Sequence, residues 1–227
     1  MIRRIVLAGS ALVLAGVGIA GTGAVAQAAK PVLNGTLSCH ASGFTTISPG
    51  IVLNLPVGTK DKGPKFVAQG GSSGCTGSAT SGVLPTSVTS TSKSKGTSRA
   101  LVQPASACSQ PARVAKTKIT FNTGDKLKVN ETTGSSIAFN PVTHVSTPFP
   151  PCGSPSSTAT TFAFAHLSDR IKVVSTGVST GKAFPGKTVT STSVTTQTLG
   201  DELALSQTAT GVTRLDADPA FSTFTIG

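Results

Sequence analysis

Tryptophan and tyrosine are absent from this 227-residue chain, and eight Asp and Glu face 19 Lys and Arg. Each shortage removes a class of function. Without Trp or Tyr the usual rings that stack nucleobases are missing, and so is the usual aromatic platform for sugars, which leaves ten Phe to supply both core and surface. The carboxylates are Asp61, Asp125, Glu131, Asp169, Asp201, Glu202, Asp216 and Asp218. A glycosidase needs two well-placed carboxyl groups, and a pair distant in sequence stays open as a source of them. Asp216-x-Asp218 is a fragment of a calcium loop without its other ligands or its Gly. His40, His144 and His166 lie far apart with no partner at helical spacing, a poor pattern for a metal site. The expectation is therefore no catalytic residue, no metal and no cofactor.

Charged residues make up 12% of the chain, about half the usual share. Ser and Thr take their place, with 28 and 34 copies. Thr is β-branched and favours pleated surfaces over helices, while 25 Gly and 14 Pro fit many turns. Regularly spaced Val, Ile, Leu and Phe argue against a disordered chain of the same composition.

The amino terminus reads as an export signal over residues 1–28. Arg3 and Arg4 precede an uncharged run from Ile5, and the small residues Ala26-Gln27-Ala28 offer a cleavage point. The alternative is a permanent anchor, because the uncharged stretch extends to Ala29. Its second half is mostly Ala and Gly, which favours cleavage. No later run approaches membrane-spanning length, so the exported chain is expected to have no stable span. Without residues 1–28, 17 basic and eight acidic residues leave about +9.

Four cysteines in an exported chain imply two disulfides, with three possible pairings. The sequential pairing, Cys39–Cys75 and Cys108–Cys152, is the expectation, each bridge stapling one half of the body by roughly 3–4 kcal/mol. The absence of a Cys-x-x-Cys pair makes metal binding a weak competitor.

Short strand signals recur along the body: around Leu37–Cys39, at Phe44–Ile47, Ile51–Leu55 and Phe66–Ala68. Pro85–Arg99 is polar and reads as an edge strand or a linker, and prolines at 104 and 111 bracket Cys108. A boundary is placed there, giving β subdomains 29–110 and 111–227, or one continuous β domain. The clearest local signal is a β-hairpin. Thr117, Ile119 and Phe121 alternate with Lys116, Lys118 and Thr120, then after Asn122–Asp125, Leu127 and Val129 alternate with Lys126, Lys128 and Asn130. One face is apolar and the other basic. Further strands are expected at Ile137–Phe139, Thr158–His166, Ile171–Ser175, Thr188–Thr196, Glu202–Gln207 and Phe221–Ile226. Asp201-Glu202 offers a helix start as the alternative for the penultimate one. The fold class is all-β, an antiparallel sandwich or barrel-like body.

Two stretches match Gly-x-Ser-x-Gly, around Ser72 and Ser179. In a Ser- and Gly-rich chain the pattern has force only at a strand–elbow–helix, and no helix is expected after either serine. A secreted hydrolase using Ser72 and a carrier with a Phe-lined interior remain alternatives. The leading reading is a secreted or envelope-associated, non-enzymatic binding or structural protein. Its basic residues, Lys93, Lys95 and Arg99 with Lys116, Lys118, Lys126 and Lys128, would meet anionic wall polymers or lipid headgroups rather than nucleic acid. A solvated loop is the bland reading of the first three. Oligomeric state is left open.

Leu33-Asn34-Gly35-Thr36-Leu37-Ser38-Cys39, continuing through Gly43 to Ser48-Pro49-Gly50, with Gly74-Cys75-Thr76-Gly77 and the four-cysteine layout, resembles small secreted proteins of actinobacteria with no assigned function. The resemblance implies an exported, disulfide-bonded β protein and carries no catalytic residues.

Overall fold

A computed structural model describes residues 31–53, 55, 59–96, 99, 113–134, 137–148 and 167–227. The expected signal (1–28), Cys108, Cys152 and the strand expected at 158–166 lie outside the described residues.

The elements run β1 (Asn34–Ile51), β2 (Lys65–Ser81), β3 (Val88–Lys95), β4 (Arg113–Phe121), β5 (Lys126–Thr133), β6 (Ile137–Phe139), β7 (Ser146–Pro148), β8 (Arg170–Ser179), β9 (Thr188–Thr198), α1 (Leu199–Ser206), β10 (Val212–Ala217) and β11 (Thr223–Ile226). All pairings among the described residues are antiparallel, as expected for the all-β fold class. β1 pairs with β2, and β2 through β5 follow in order. β5 then pairs with β8, β8 with β9, β9 with β11, and β11 returns to β1. The ring closes, so these strands form a barrel, which removes the free edges that make open sheets aggregate. Two positions in the ring are shared. β11 covers the first part of β1 and β10 the second, while β5 and then β6 run along β8.

Several expected short strands are parts of longer ones. β1 joins the two predicted around Leu37 and Phe44, and β2 extends the strand predicted at Phe66–Ala68 through Gly70–Gly74. β3 is neither linker nor edge, since β2 and β4 flank it. The expected boundary near residue 111 falls between β3 and β4, which are adjacent and hydrogen-bonded. Residues 31–227 form one compact unit.

Such length requires bending. At Gly43 (φ 149°), paired on one side with Gly70 and on the other with Ala217, a Cβ would stand 2.3 Å from the Gln69 carbonyl oxygen. Only glycine tolerates both the dihedral and the approach. Gly43→Ala is expected to lose about 2 kcal/mol or more through combined strain and displacement of β2, measurable as a lower urea midpoint.

One end of the barrel is filled by Leu37, Val88, Ile119, Phe121, Leu127, Val129, Phe184, Val189, Phe224 and Ile226. Cys39 lies in this core and bonds Cys75 across the β1–β2 pair, confirming the first expected bridge, with Cα atoms 4.1 Å apart. It sits where the β1–β2 register shifts between Ser38 and His40. A smaller cluster of Ile47, Phe66 and Val212 lies elsewhere along β1, β2 and β10.

Glu202–Gln207 is a correction: α1 replaces the expected strand. Thr198 and Asp201 form a capping box, each side chain bonding the other's backbone N–H. That local pair outweighs the Leu203/Leu205 alternation, because it satisfies amides that otherwise lack a partner at the helix start.

Candidate functional site

The predicted hairpin forms as β4 and β5, with Thr117 facing Val129, Ile119 facing Leu127 and Lys118 facing Lys128. Ala115, Thr117, Ile119, Leu127, Val129 and Glu131 are buried, while Lys116, Lys118, Lys126 and Lys128 are exposed. The period of two thus delivers an apolar inner wall and a basic outer wall.

Neighbouring strands extend that outer wall. Inward Val88 fixes the phase of β3, so Lys93 and Lys95 point outward and are exposed. Register sets Lys93 opposite Lys116, and Lys95 opposite the exposed Lys65 of β2. Seven lysines therefore share one wall, and six of them are among the sequence-predicted contacts. Lys65 was missed because nothing local marks its strand partner. Arg99, also among the sequence-predicted contacts, lies apart from these seven lysines. It follows β3, half-buried, with its backbone N–H donating to Asp61 Oδ2 (2.9 Å), its carbonyl accepting from Val52 N–H, and its buried Nε without a hydrogen bond. These ties hold it in the connecting region rather than on the wall.

The register orders the seven lysines. Lys65 and Lys95 are opposed on β2 and β3; two residues further along, Lys93 and Lys116 are opposed on β3 and β4; two further, Lys118 and Lys128 are opposed on β4 and β5; Lys126 lies two beyond that. Each pair is displaced by one strand and two residues from the last, so the charges climb obliquely across four strands. No carboxylate lies among them. The only acid on β2 through β5 is Glu131, which is 4% exposed inside the barrel. Three directly opposed like-charge pairs are each unfavourable by up to about 1 kcal/mol.

Glu131 is accounted for internally. The Thr117 hydroxyl donates to Oε2 at 2.5 Å and the Ser191 hydroxyl to Oε1 at 3.0 Å, with Ser92 Oγ 2.9 Å from Thr117. Gly177, opposite Glu131 on β8, has no side chain to separate it from β9. A Cβ there would stand 2.5 Å from the Asn130 carbonyl oxygen. The result is a hydroxyl-lined carboxylate whose two oxygens are both hydrogen-bonded.

Other sequence-marked residues have structural partners. Ser72 lies within β2, paired with Ala41 and Val88, with strand continuing on both sides. Ser179 is buried; its hydroxyl donates to the Phe184 carbonyl and accepts from Lys187 N–H. Asp125 accepts from the Thr123 hydroxyl at 2.8 Å. His144 contacts Phe139 and Phe221. Asp216 is held by the Arg214 guanidinium, whose bonds keep its carboxyl below the usual range, and Asp218 pairs with Arg170. No group of three His, Cys, Asp or Glu able to hold a metal occurs among the described residues. No helix among them is long and apolar enough to cross a membrane.

The other carboxylates lie on loops, in the β4–β5 turn or along the β8–β10 side, where Arg170 and Arg214 pair with Asp218 and Asp216. Neither a protein-family model, nor a curated protein, nor a solved structure matches this chain.

Proposed function

We propose that this chain is a non-enzymatic binding protein of the cell exterior, held on anionic envelope polymers by the outer wall of β2–β5. Seven exposed lysines on one wall without a carboxylate carry the reading. The export signal read in residues 1–28 and the Cys39–Cys75 bridge support the compartment, since such bridges persist under oxidising conditions. The opposed lysine pairs support the role: they weaken the fold, and an anionic partner would convert that repulsion into attraction.

The test uses the chain from residue 29 onward, co-sedimented with envelope fractions and with anionic vesicles. Binding is expected at 50 mM salt and is expected to weaken by about 10²–10³ between 50 and 200 mM, as counterions are no longer released at a gain. Lys118→Glu puts a carboxylate opposite Lys128. It is expected to raise stability by about 0.5–1 kcal/mol while weakening sedimentation. No binding at low salt would remove the proposal, as would a Lys118→Glu protein that binds as tightly as the parent.

A further inference from the structure

The oblique order of the lysines restricts the partner more than their number does. We propose that the band from Lys65 to Lys126 is a track for a single linear phosphate polymer, an inference that rests on the wall being the binding surface. Strands lie about 4.8 Å apart and rise about 3.4 Å per residue. Consecutive lysines along the band are thus separated alternately by about 5 Å across a strand pair and about 7 Å along a strand. Three strand intervals and six residues give a track about 25 Å long. A globular acidic protein would meet a charged field of similar width and length. This band is one or two lysines wide and several long.

The side chains on and beside the track favour phosphate. All seven cations are ammonium groups, point charges without the planar fork with which arginine grips carboxylates in two parallel bonds. They accept a tetrahedral anion in any rotation, as a flexible chain presents it. The track carries no aromatic ring, because Phe66 and Phe121 are buried in the two clusters of the interior. A sugar ring or a nucleobase therefore finds no face to stack on. Flanking outward positions hold Thr89, Thr91, Thr120 and Asn130, which supply hydroxyl and amide groups to phosphate oxygens or polyol hydroxyls.

The experiment titrates the chain from residue 29 onward with inorganic polyphosphate of defined lengths and with poly(glycerol phosphate), at fixed salt. Affinity is expected to rise steeply with chain length until the polymer spans the track, then only in proportion to the number of ways it can bind. A relocated variant, Lys118→Thr with Thr132→Lys and Lys116→Thr with Thr89→Lys, keeps seven lysines on the wall and breaks their order. At about fivefold per displaced lysine, it is expected to bind about twentyfold more weakly, with its fold verified by circular dichroism and melting. Equal binding by the relocated variant would overturn the track and leave the wall as a diffuse charged surface. If Lys93, Lys116, Lys118 and Lys128 are all changed to Thr and binding is undiminished, the wall and the track both fall. A carboxylated glycan or single-stranded DNA that binds as tightly as polyphosphate of equal charge would overturn the preference for phosphate.

Discussion

Phe184→Ala is expected to remove about 3–5 kcal/mol of stability, a large share of what a domain of this size holds. Phe184 is fully buried, yet it belongs to no strand. It lies in the connection between β8 and β9, which folds over one end of the barrel and inserts this ring. The centroid is 5.5 Å from that of Phe121, with the planes tilted by 58°. Its N–H donates to the Leu33 carbonyl at 2.7 Å, and its carbonyl accepts from the Ser179 hydroxyl and from Lys187 N–H. These bonds hold the residue at φ 47°, a conformation that costs a non-glycine residue about 1–2 kcal/mol. Burial of the ring offsets the strain, so truncation to Ala keeps the strain and loses the compensation. Phe184→Leu should cost about half as much. For a chain of this length the Ala variant should melt roughly 10 °C lower. A loss below 1 kcal/mol in urea unfolding would show that the end of the barrel closes without this plug.

Glu202→Gln is expected to stabilise the protein at pH 8 and to have little effect at pH 4. Glu202 is buried in α1, and its Oε1 has no hydrogen bond. Burial pushes its pKa up to about 7, the Asp201 charge adds to the rise, and the Thr195 hydroxyl partly opposes it. In the unfolded chain the group ionises near 4.5. Between these values the folded state retains a proton that the unfolded state releases. Stability is therefore lost progressively as pH rises from about 4.5 to about 7, and the loss remains above that range. A neutral amide of the same shape escapes the penalty. The gain at pH 8 is on the order of 1–3 kcal/mol, and chemical denaturation of both proteins from pH 4 to 8 reads it as a difference that opens with pH. The comparison isolates Glu202, because Asp201 and Asp216 have lowered pKa values, act in the opposite sense at lower pH and are present in both proteins. A constant difference across the range would mean that Glu202 is ionised throughout.

Both residues show where sequence reading stops. Phe184 sits in Lys182–Lys187, a Gly- and Pro-containing stretch with no period of two, and so reads as a loop. Its burial follows from the barrel end needing closure, which no local pattern records. Glu202 lies in a segment whose Leu203/Leu205 alternation mimics a strand. The Thr198–Asp201 capping box in the structure decides for the helix, because it accounts for specific unpaired amides.

What the sequence alone determined is whatever depends on near neighbours. The all-β class follows from Thr, Gly and turn chemistry. The β4–β5 hairpin follows from alternation on both sides of a four-residue turn, and with it the outward direction of Lys116, Lys118, Lys126 and Lys128. The Cys39–Cys75 bridge was one of three pairings open to the sequence, and the β1–β2 register selected it. What only the tertiary structure decided depends on register between distant strands. Closure of the ring requires β11 to meet β1, nearly two hundred residues earlier. The lysine band requires Lys65 to meet Lys95 and Lys93 to meet Lys116 across connections of different lengths. Period-two patterning specifies which face a side chain takes, and is silent on how far one strand slides against another. A shift of two residues between β3 and β4 would keep every lysine outside and still break the oblique order.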